Sequence, residues 1–308
     1  MPKFSVSKSI EVDASPDRVF EVVSDFGTWR TWSPWLCAEP EAKVVVSENS
    51  NSVGSSYSWT GDLVGEGSMK HARLVPGKHI EEQLQFVRPW KSQAQVTFDF
   101  KTKNNGTTVT WTMHSALPFF LFWMKSMMVN VIGMDYERGL KMLKELIETG
   151  EVLSTTKVRG VEPVGPIHMV GVRKKCSMAE IDKAMSSAIS EAESKLCETN
   201  IPYEASKISV YHNVDLKEKT FDFTAGMIVN DSSADVQGLA TWSLPQTRAI
   251  AVGHTGSYEN LGNPWGAAYK YLEHKKLKQK ENAFEIYRNG PRENAPADLI
   301  TDIFVPVK

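Results

Sequence analysis

Near the end of the chain, in the run AFEIYRNG at 283–290, Glu285 stands between two large apolar residues, Phe284 and Ile286. In an extended strand side chains alternate, so Glu285 shares a face with Tyr287, and Phe284 and Ile286 take the opposite face, expected to meet the helices. A carboxylate set among Tyr287, Tyr211, Trp265 and Tyr258 is partly stripped of water, which raises its pKa. It then serves either to attract cations or to act as a general base. The competing arrangement leaves Glu285 in solvent at a sheet edge, or paired with Arg288, Arg292 or a nearby lysine.

A second candidate set lies in the first half of the chain, where Trp59, His71 and Tyr136 are placed to line a cavity. Glu66 and Glu82 are further polar side chains expected to look into it, although each of these types is more often found paired or solvated than in a binding site. Trp29, Trp32 and Trp35 form an aromatic group that either stacks on a ligand or, the reading favoured here, packs a loop onto a sheet. Sequence motifs for the common catalytic centres are absent: no GxSxG elbow, no HExxH, no phosphate-binding loop and no GxGxxG between a strand and a helix. The 7 histidines are scattered, with no pair at helical spacing, so neither a metal nor a cofactor is expected.

These residues need elements to hold them. ASPDRVFEVVSDF opens a helix, with Ser15 as its cap, Pro16 in the first turn, and Val19, Phe20 and Val23 at helical spacing. Alternating runs follow at 56–59, 68–75, 79–87, 92–100 and 107–113, separated by turn signals, as in a hairpin-linked antiparallel sheet. A long helix then carries the stripe Ile132, Tyr136, Leu140, Leu143 and Ile147 and ends near Gly150.

After a polar, Thr-rich run at 150–158, expected to be a linker, the pattern is written twice. HMVGV at 168–172, a helix over 178–197, KISVYHN and FDFTAGMIV form one copy. AIAVGHT at 249–255, a helix ending near His274, AFEIYRN and LITDIFVPV form the other. Val170 and Gly171 recur as Val252 and Gly253, and Tyr211 and Asn213 as Tyr287 and Asn289, which points to an internal duplication. Ser177 with Glu180 makes a capping box for the first helix. The second is expected to start at Asn263 and Pro264 and to bury Trp265, Ala268 and Leu272. Aligning the copies sets Ser209 at the position of Glu285, so the fold itself does not require a carboxylate there.

ASPDRVFEVVSDFGTWRTWSPW, SYSWTGDLVGEGSMK, TTVTWTM and DYERGLKMLKELIE resemble the SRPBCC superfamily, also called START-like or polyketide cyclase-like, over residues 3–149. That resemblance implies a curved sheet gripping a long helix and enclosing an apolar cavity for lipids, polyketides or similar molecules, with catalysis in only some members. GHTGSYENLGNPWGAAYKYL, NAFEIYRNGP and TDIFVPV resemble the GyrI-like fold, the small-molecule-binding domain of multidrug-sensing activators and of the DNA gyrase inhibitory protein, over residues 158–308. It implies a pseudo-twofold pair of βαββ units with a ligand cleft between them. It also implies that the Glu of the FEIY strand lies inside the pocket. The expected fold class is thus α+β: a helix-grip antiparallel sheet around a long C-terminal helix in a domain spanning 1–150, followed by a duplicated βαββ domain spanning 157–308.

With 308 residues the chain has room for two domains of ordinary size. Its 35 Lys plus Arg nearly balance 37 Asp plus Glu, a net charge of −2, with no basic stripe to follow a phosphate backbone, so nucleic acid is not an expected partner. Three dispersed cysteines, Cys37, Cys176 and Cys197, fit a reducing compartment, and MPKFSVSKSIEV has no apolar leader core. The cytoplasm is the expected location. The apolar stretch at 116–134 is interrupted by Lys125, Ser126 and Asn130 and is too short for a membrane span. Burial of Phe119, Phe120, Phe122 and Trp123 is favoured over peripheral lipid contact.

The leading functional reading is capture or sensing of hydrophobic or cationic amphipathic small molecules, without a DNA-binding domain of its own. A hydrolase or cyclase acting on strained or polyketide-like natural products, with Glu285 as general base, is the alternative. An inhibitory module that binds another protein is a third, as the gyrase inhibitor resemblance allows.

Overall fold

The computed structural model describes residues 3–116, 123–230 and 234–308. The chain forms two compact units, 1–153 and 154–308. Both are α+β, each built on one antiparallel sheet.

The first unit begins with β1 (Lys3–Val12), α1 (Pro16–Ser24) and the short α2 (Trp29–Trp32). It continues through β2 (Lys43–Val46), β3 (Ser56–Thr60), β4 (Glu66–Val75), β5 (His79–Arg88), β6 (Ser92–Lys103) and β7 (Gly106–Ala116) to α3 (Lys125–Thr149). Strands β2 to β7 follow one another as neighbours, and β1 joins the far side of β7, giving the order β1-β7-β6-β5-β4-β3-β2. Local chemistry explains the ends. Ser15 Oγ accepts a hydrogen bond from Arg18 N at 3.3 Å, and Pro16 occupies the first turn of α1, where a missing N–H costs nothing. Gly150 closes α3 in the left-handed region at φ 94°, its N–H donating to Leu146 O at 3.0 Å.

Helix α3 packs along β1, and its inner face meets an aromatic core. The Trp111 ring stacks on Tyr136 at 3.9 Å and on Phe98 at 5.0 Å. This close seating needs Gly139, because a Cβ there would lie 2.8 Å from the Trp111 ring and 3.1 Å from Pro34 Cδ. Trp29 and Trp32 are buried in the same core and pack edge-on against Phe98 and Trp111 of the sheet, whereas Trp35 is half-buried. Full burial of a large apolar side chain contributes about 1.5 to 3 kcal/mol, so this cluster is a main source of the unit's stability. Phe119, Phe120 and Phe122 lie outside the described residues, and Trp123 is exposed.

The second unit comprises β8 (Thr155–Val164), β9 (Ile167–Ser177), α4 (Ile181–Cys197), β10 (Tyr203–Asp215), β11 (Thr220–Val229), β12 (Ala240–Leu244), β13 (Thr247–Thr255), α5 (Gly262–His274), β14 (Phe284–Tyr287) and β15 (Ile300–Val307). The run at 150–158, expected as a linker, is a strand from Thr155 onward: TTKVRGV alternates and pairs with β13. The sheet order is β12-β9-β11-β10-β14-β15-β13-β8. Within it, β9-β11-β10 is followed by β14-β15-β13, so the two sequence copies meet at β10 and β14. Helix α4 packs on β9 and β11, and α5 on β13, β8 and β15. The Ser177–Glu180 capping box is present and leads through a single turn of 3-10 helix into α4. Helix α5 starts at Gly262, so Pro264 sits in its first turn and does not kink it.

The two faces of β14 are the reverse of the expectation. Phe284 and Ile286 point away from the helices, into a cluster with Ile208, Val210, Ala249, Ala251 and Phe304. Trp242, on edge strand β12, reaches Phe284 with a ring separation of 5.5 Å although three strands intervene, so the sheet curls over its own helix-free face. Glu285 and Tyr287 are left on the side that carries α4 and α5.

Candidate functional site

Strands β10 and β14 place Ser209 directly opposite Glu285, with Ile208 opposite Ile286 and Lys207 opposite Tyr287. Glu285 and Tyr287 are therefore at the seam between the two copies, under both helices. Glu285 is only 1% exposed. The Trp265 indole N–H, from α5, donates to its Oε1, and the Tyr287 hydroxyl donates to its Oε2. Tyr211, from β10, also hydrogen-bonds the carboxylate.

Around this centre, Tyr211 meets the Trp265 ring edge-on at 5.3 Å, and Tyr258 meets Tyr287 edge-on at 5.5 Å. Tyr211, Trp265 and Tyr258 are half-buried, so the aromatic group runs from a sealed floor to the surface. All five residues singled out from the sequence for this site are brought together. Arg288 does not pair with Glu285: its Nε donates to Asp302 Oδ2 at 2.8 Å. Solvent exposure and an ion pair with Arg288 are thus both excluded as explanations of Glu285.

Burial pushes the Glu285 carboxyl above the ordinary carboxylate range, and the hydrogen bonds from Tyr287, Trp265 and Tyr211 offset only part of that shift. The Tyr211 and Tyr287 hydroxyls are held well above the usual phenol range, first by burial and then by the neighbouring Glu285 charge. Both therefore remain donors. The site is a desolvated acceptor ringed by neutral donors and aromatic faces, an arrangement suited to a cation or to a strongly polarised group.

Sequence alignment of the copies did not show what replaces the acid pair in the first copy. Ser209 Oγ donates to Met185 Sδ of α4 at 2.8 Å, where Glu285 uses Trp265 of α5. The signal was the Ser-for-Glu exchange itself, which implies a matching exchange on the helix above.

In the first unit a cavity of about 70 Å³ is lined by Trp29, Trp35, Tyr57, Trp59, Met69, Leu84, Val96, Trp111 and Tyr136 among others. Trp59 and Tyr136 stand on its wall as expected. His71 does not: it is 1% exposed and stacks on Phe26 at 3.9 Å. Of the other stripe residues on α3, Ile132 and Leu140 are also off the wall. Glu66 lies at the surface, its carboxylate accepting from Arg88 Nε at 3.0 Å. Glu82 is fully buried beside His71. Trp111 was read only as part of a strand, yet it alternates inward with Val109 and Met113 and forms part of the cavity wall.

Among the described residues no group of three or more His, Cys, Asp or Glu is placed to hold a metal ion, and no helix is long and apolar enough to cross a membrane.

No curated protein matches the chain. Among solved structures, the Aha1 dimer from Colwellia psychrerythraea is similar at 21% identity, covering 48% of this chain and 98% of that one with a TM-score of 0.36. TTHA0849 from Thermus thermophilus is similar at 16% identity, 48% and 99% coverage and a TM-score of 0.37. The EcmrR C-terminal domain is similar at 18% identity, 51% and 98% coverage and a TM-score of 0.41. Family models divide the chain as its sheets do: residues 3–148 match the model described as polyketide cyclase / dehydrase and lipid transport, and residues 161–308 match the model described as GyrI-like small molecule binding domain.

Proposed function

We propose that this protein captures hydrophobic and cationic amphipathic small molecules in the cytosol, with Glu285 as the charge-selective contact. The observation that carries the reading is a carboxylate 1% exposed with no lysine, arginine or histidine paired to it among the described residues. A buried acid without a cation of its own is costly, and a ligand cation removes that cost. Trp265, Tyr211 and Tyr258 offer ring faces and edges along which an aromatic or alkyl cation can slide toward it.

The finer architecture belongs to the same reading. A 25-residue α3 packed along β1 supports a helix-grip description of the first unit. The mirrored order β9-β11-β10 and β14-β15-β13 supports a pseudo-twofold duplication in the second. The first unit, taken as 1–150, is the receptor for uncharged apolar molecules, and the second, 157–308, for cations.

Titration calorimetry with benzyltriethylammonium tests the central claim. Glu285→Gln keeps shape but removes charge, and loss of one charge-assisted contact of about 1.5 to 3 kcal/mol lowers affinity roughly tenfold to a hundredfold. Equal affinity in wild type and variant would refute the assignment. Consumption of a strained or polyketide-like substrate by wild type, lost in Glu285→Gln with binding intact, would instead show an enzyme with Glu285 as general base.

A further inference from the structure

The first sheet turns a row of polar side chains away from its core. Pairing of the strands sets Ser56 of β3, Lys70 of β4, Gln83 of β5, Gln95 of β6, His114 of β7 and Ser5 of β1 as successive cross-strand neighbours. All six are exposed. Their chain neighbours Met69, Leu84 and Phe4 alternate to the opposite face and are buried in the aromatic core. Two residues along each strand, Ser68, Gln85, Gln93 and Lys3 share the exposed face. Both sets line a cleft of about 970 Å³, and Lys125, the first residue of α3, lines it as well.

Charge is distributed unevenly over this sheet. Away from the cleft its cations have acidic partners: Lys103 pairs with Glu11, Arg88 with Glu66 at 3.0 Å and His79 with Asp99 at 2.9 Å. Within the cleft, Lys3, Lys70 and Lys125 form no ion pair among the described residues, and no aspartate or glutamate is among the described residues of its wall. Glu81, two residues before Gln83, lies outside that wall and accepts from Gln95 Nε2 at 2.7 Å. Three lysines without a carboxylate repel one another, and an anion bound among them relieves that repulsion.

Spacing narrows the class of anion. Neighbouring strands lie about 4.8 Å apart, so the backbones carrying Lys70 and His114 are about 14 Å apart, with Gln83 and Gln95 between them. Lys3 and Lys125 add to the His114 side, because β1 pairs with β7 and α3 packs along β1. Cations at both ends match a molecule with an anion at each end. Carboxamides both donate and accept, so the middle of the cleft suits hydroxyl groups, and a lysine ammonium is a strong partner for phosphate. We propose that this cleft binds a polyol carrying two phosphate groups. Lys70 holds one phosphate, Lys3, Lys125 and His114 hold the other, and Gln83 and Gln95 meet the hydroxyls between. The site is separate from the Glu285 cleft and from the 70 Å³ cavity, and depends on neither reading.

Titration calorimetry on the full chain with fructose 1,6-bisphosphate, fructose 6-phosphate and fructose tests the site. The bisphosphate should bind at least about fivefold more tightly than the monophosphate, and fructose should give no measurable heat. Lys70→Gln and Lys125→Gln change exposed side chains, so the fold should hold, and each should lower bisphosphate affinity about fivefold. Lys101→Gln, farther along β6 in the same alternation and outside the cleft, should leave it unchanged. A phosphoinositide headgroup presents the same phosphates and hydroxyls, so a second arm measures sedimentation with phosphatidylcholine vesicles containing phosphatidylinositol bisphosphate. Binding that the two variants weaken supports the site: in the first arm it marks a soluble phosphate ester, in the second arm alone a lipid headgroup. Binding in neither arm, equal affinity for the two sugar phosphates, indifference to both variants, or an equal loss in Lys101→Gln overturns the proposal.

Discussion

A buried glutamate with a raised pKa makes opposite demands on folding and on binding. Burial favours its protonated form, so its cost to the native state is absent below the unfolded value of about 4.3 and grows as pH rises toward the higher folded value. Stability of wild type relative to Glu285→Gln should therefore fall as pH is raised through that window and then level off, as read from denaturant midpoints. Cation affinity should move the other way, increasing with pH through the raised pKa and staying flat in Glu285→Gln. Glu285→Ser, which installs the residue of the first copy, should fold, because Ser209 is buried at the matching position of the sister strand. Alternation along FEIY and the aromatic company of Glu285 were visible in the residues themselves. The hydrogen bond from Trp265 was not, since it depends on a side chain one helix away and 20 positions earlier.

At the scale of elements, periodicity was a good guide where it ran long and a poor one where it was short or polar. The five alternating runs of the first half are strands β3 to β7. KVVV at 43–46 is too brief to stand out, and β8 has the composition of a linker until its alternation is matched to β13. Which face of β14 meets the helices was out of reach, because that depends on how far the sheet curls. Phe284 tests the curl. It is 0% exposed on the helix-free face, and Phe284→Ala should cost about 3 to 5 kcal/mol in chemical denaturation. A cost near that of a surface substitution would mean that the face is open. At the end of α3, Gly150→Ala should cost about 1 kcal/mol from its left-handed backbone alone, since no atom lies within 4 Å of the added methyl.

For the molecule as a whole, each unit has its own sheet, its own helices and its own buried cluster. Fragments 1–153 and 154–308 should each unfold cooperatively by calorimetry, and failure of both would show that neither is an independent folding unit. Ligands should separate in the same way. A quaternary ammonium at a hundred times its dissociation constant should stabilise fragment 154–308 by about 2.7 kcal/mol and leave fragment 1–153 unchanged.

The seam between β10 and β14 gives the proposed cleft a direction. Its two walls come from related halves, yet one wall ends in a carboxylate and the other in a serine bonded to a thioether. A scaffold of matched halves with a single acid has one pole. A rod-shaped ligand charged at one end has only one productive orientation in it, whereas the same rod charged at both ends would have to bring its second cation up against Ser209 and Met185. Bis-quaternary compounds should accordingly bind no better than their mono-quaternary counterparts, beyond the twofold statistical gain of having two ends to offer. Ser209→Glu should reverse that order, provided the doubled charge is held only when the dication is present.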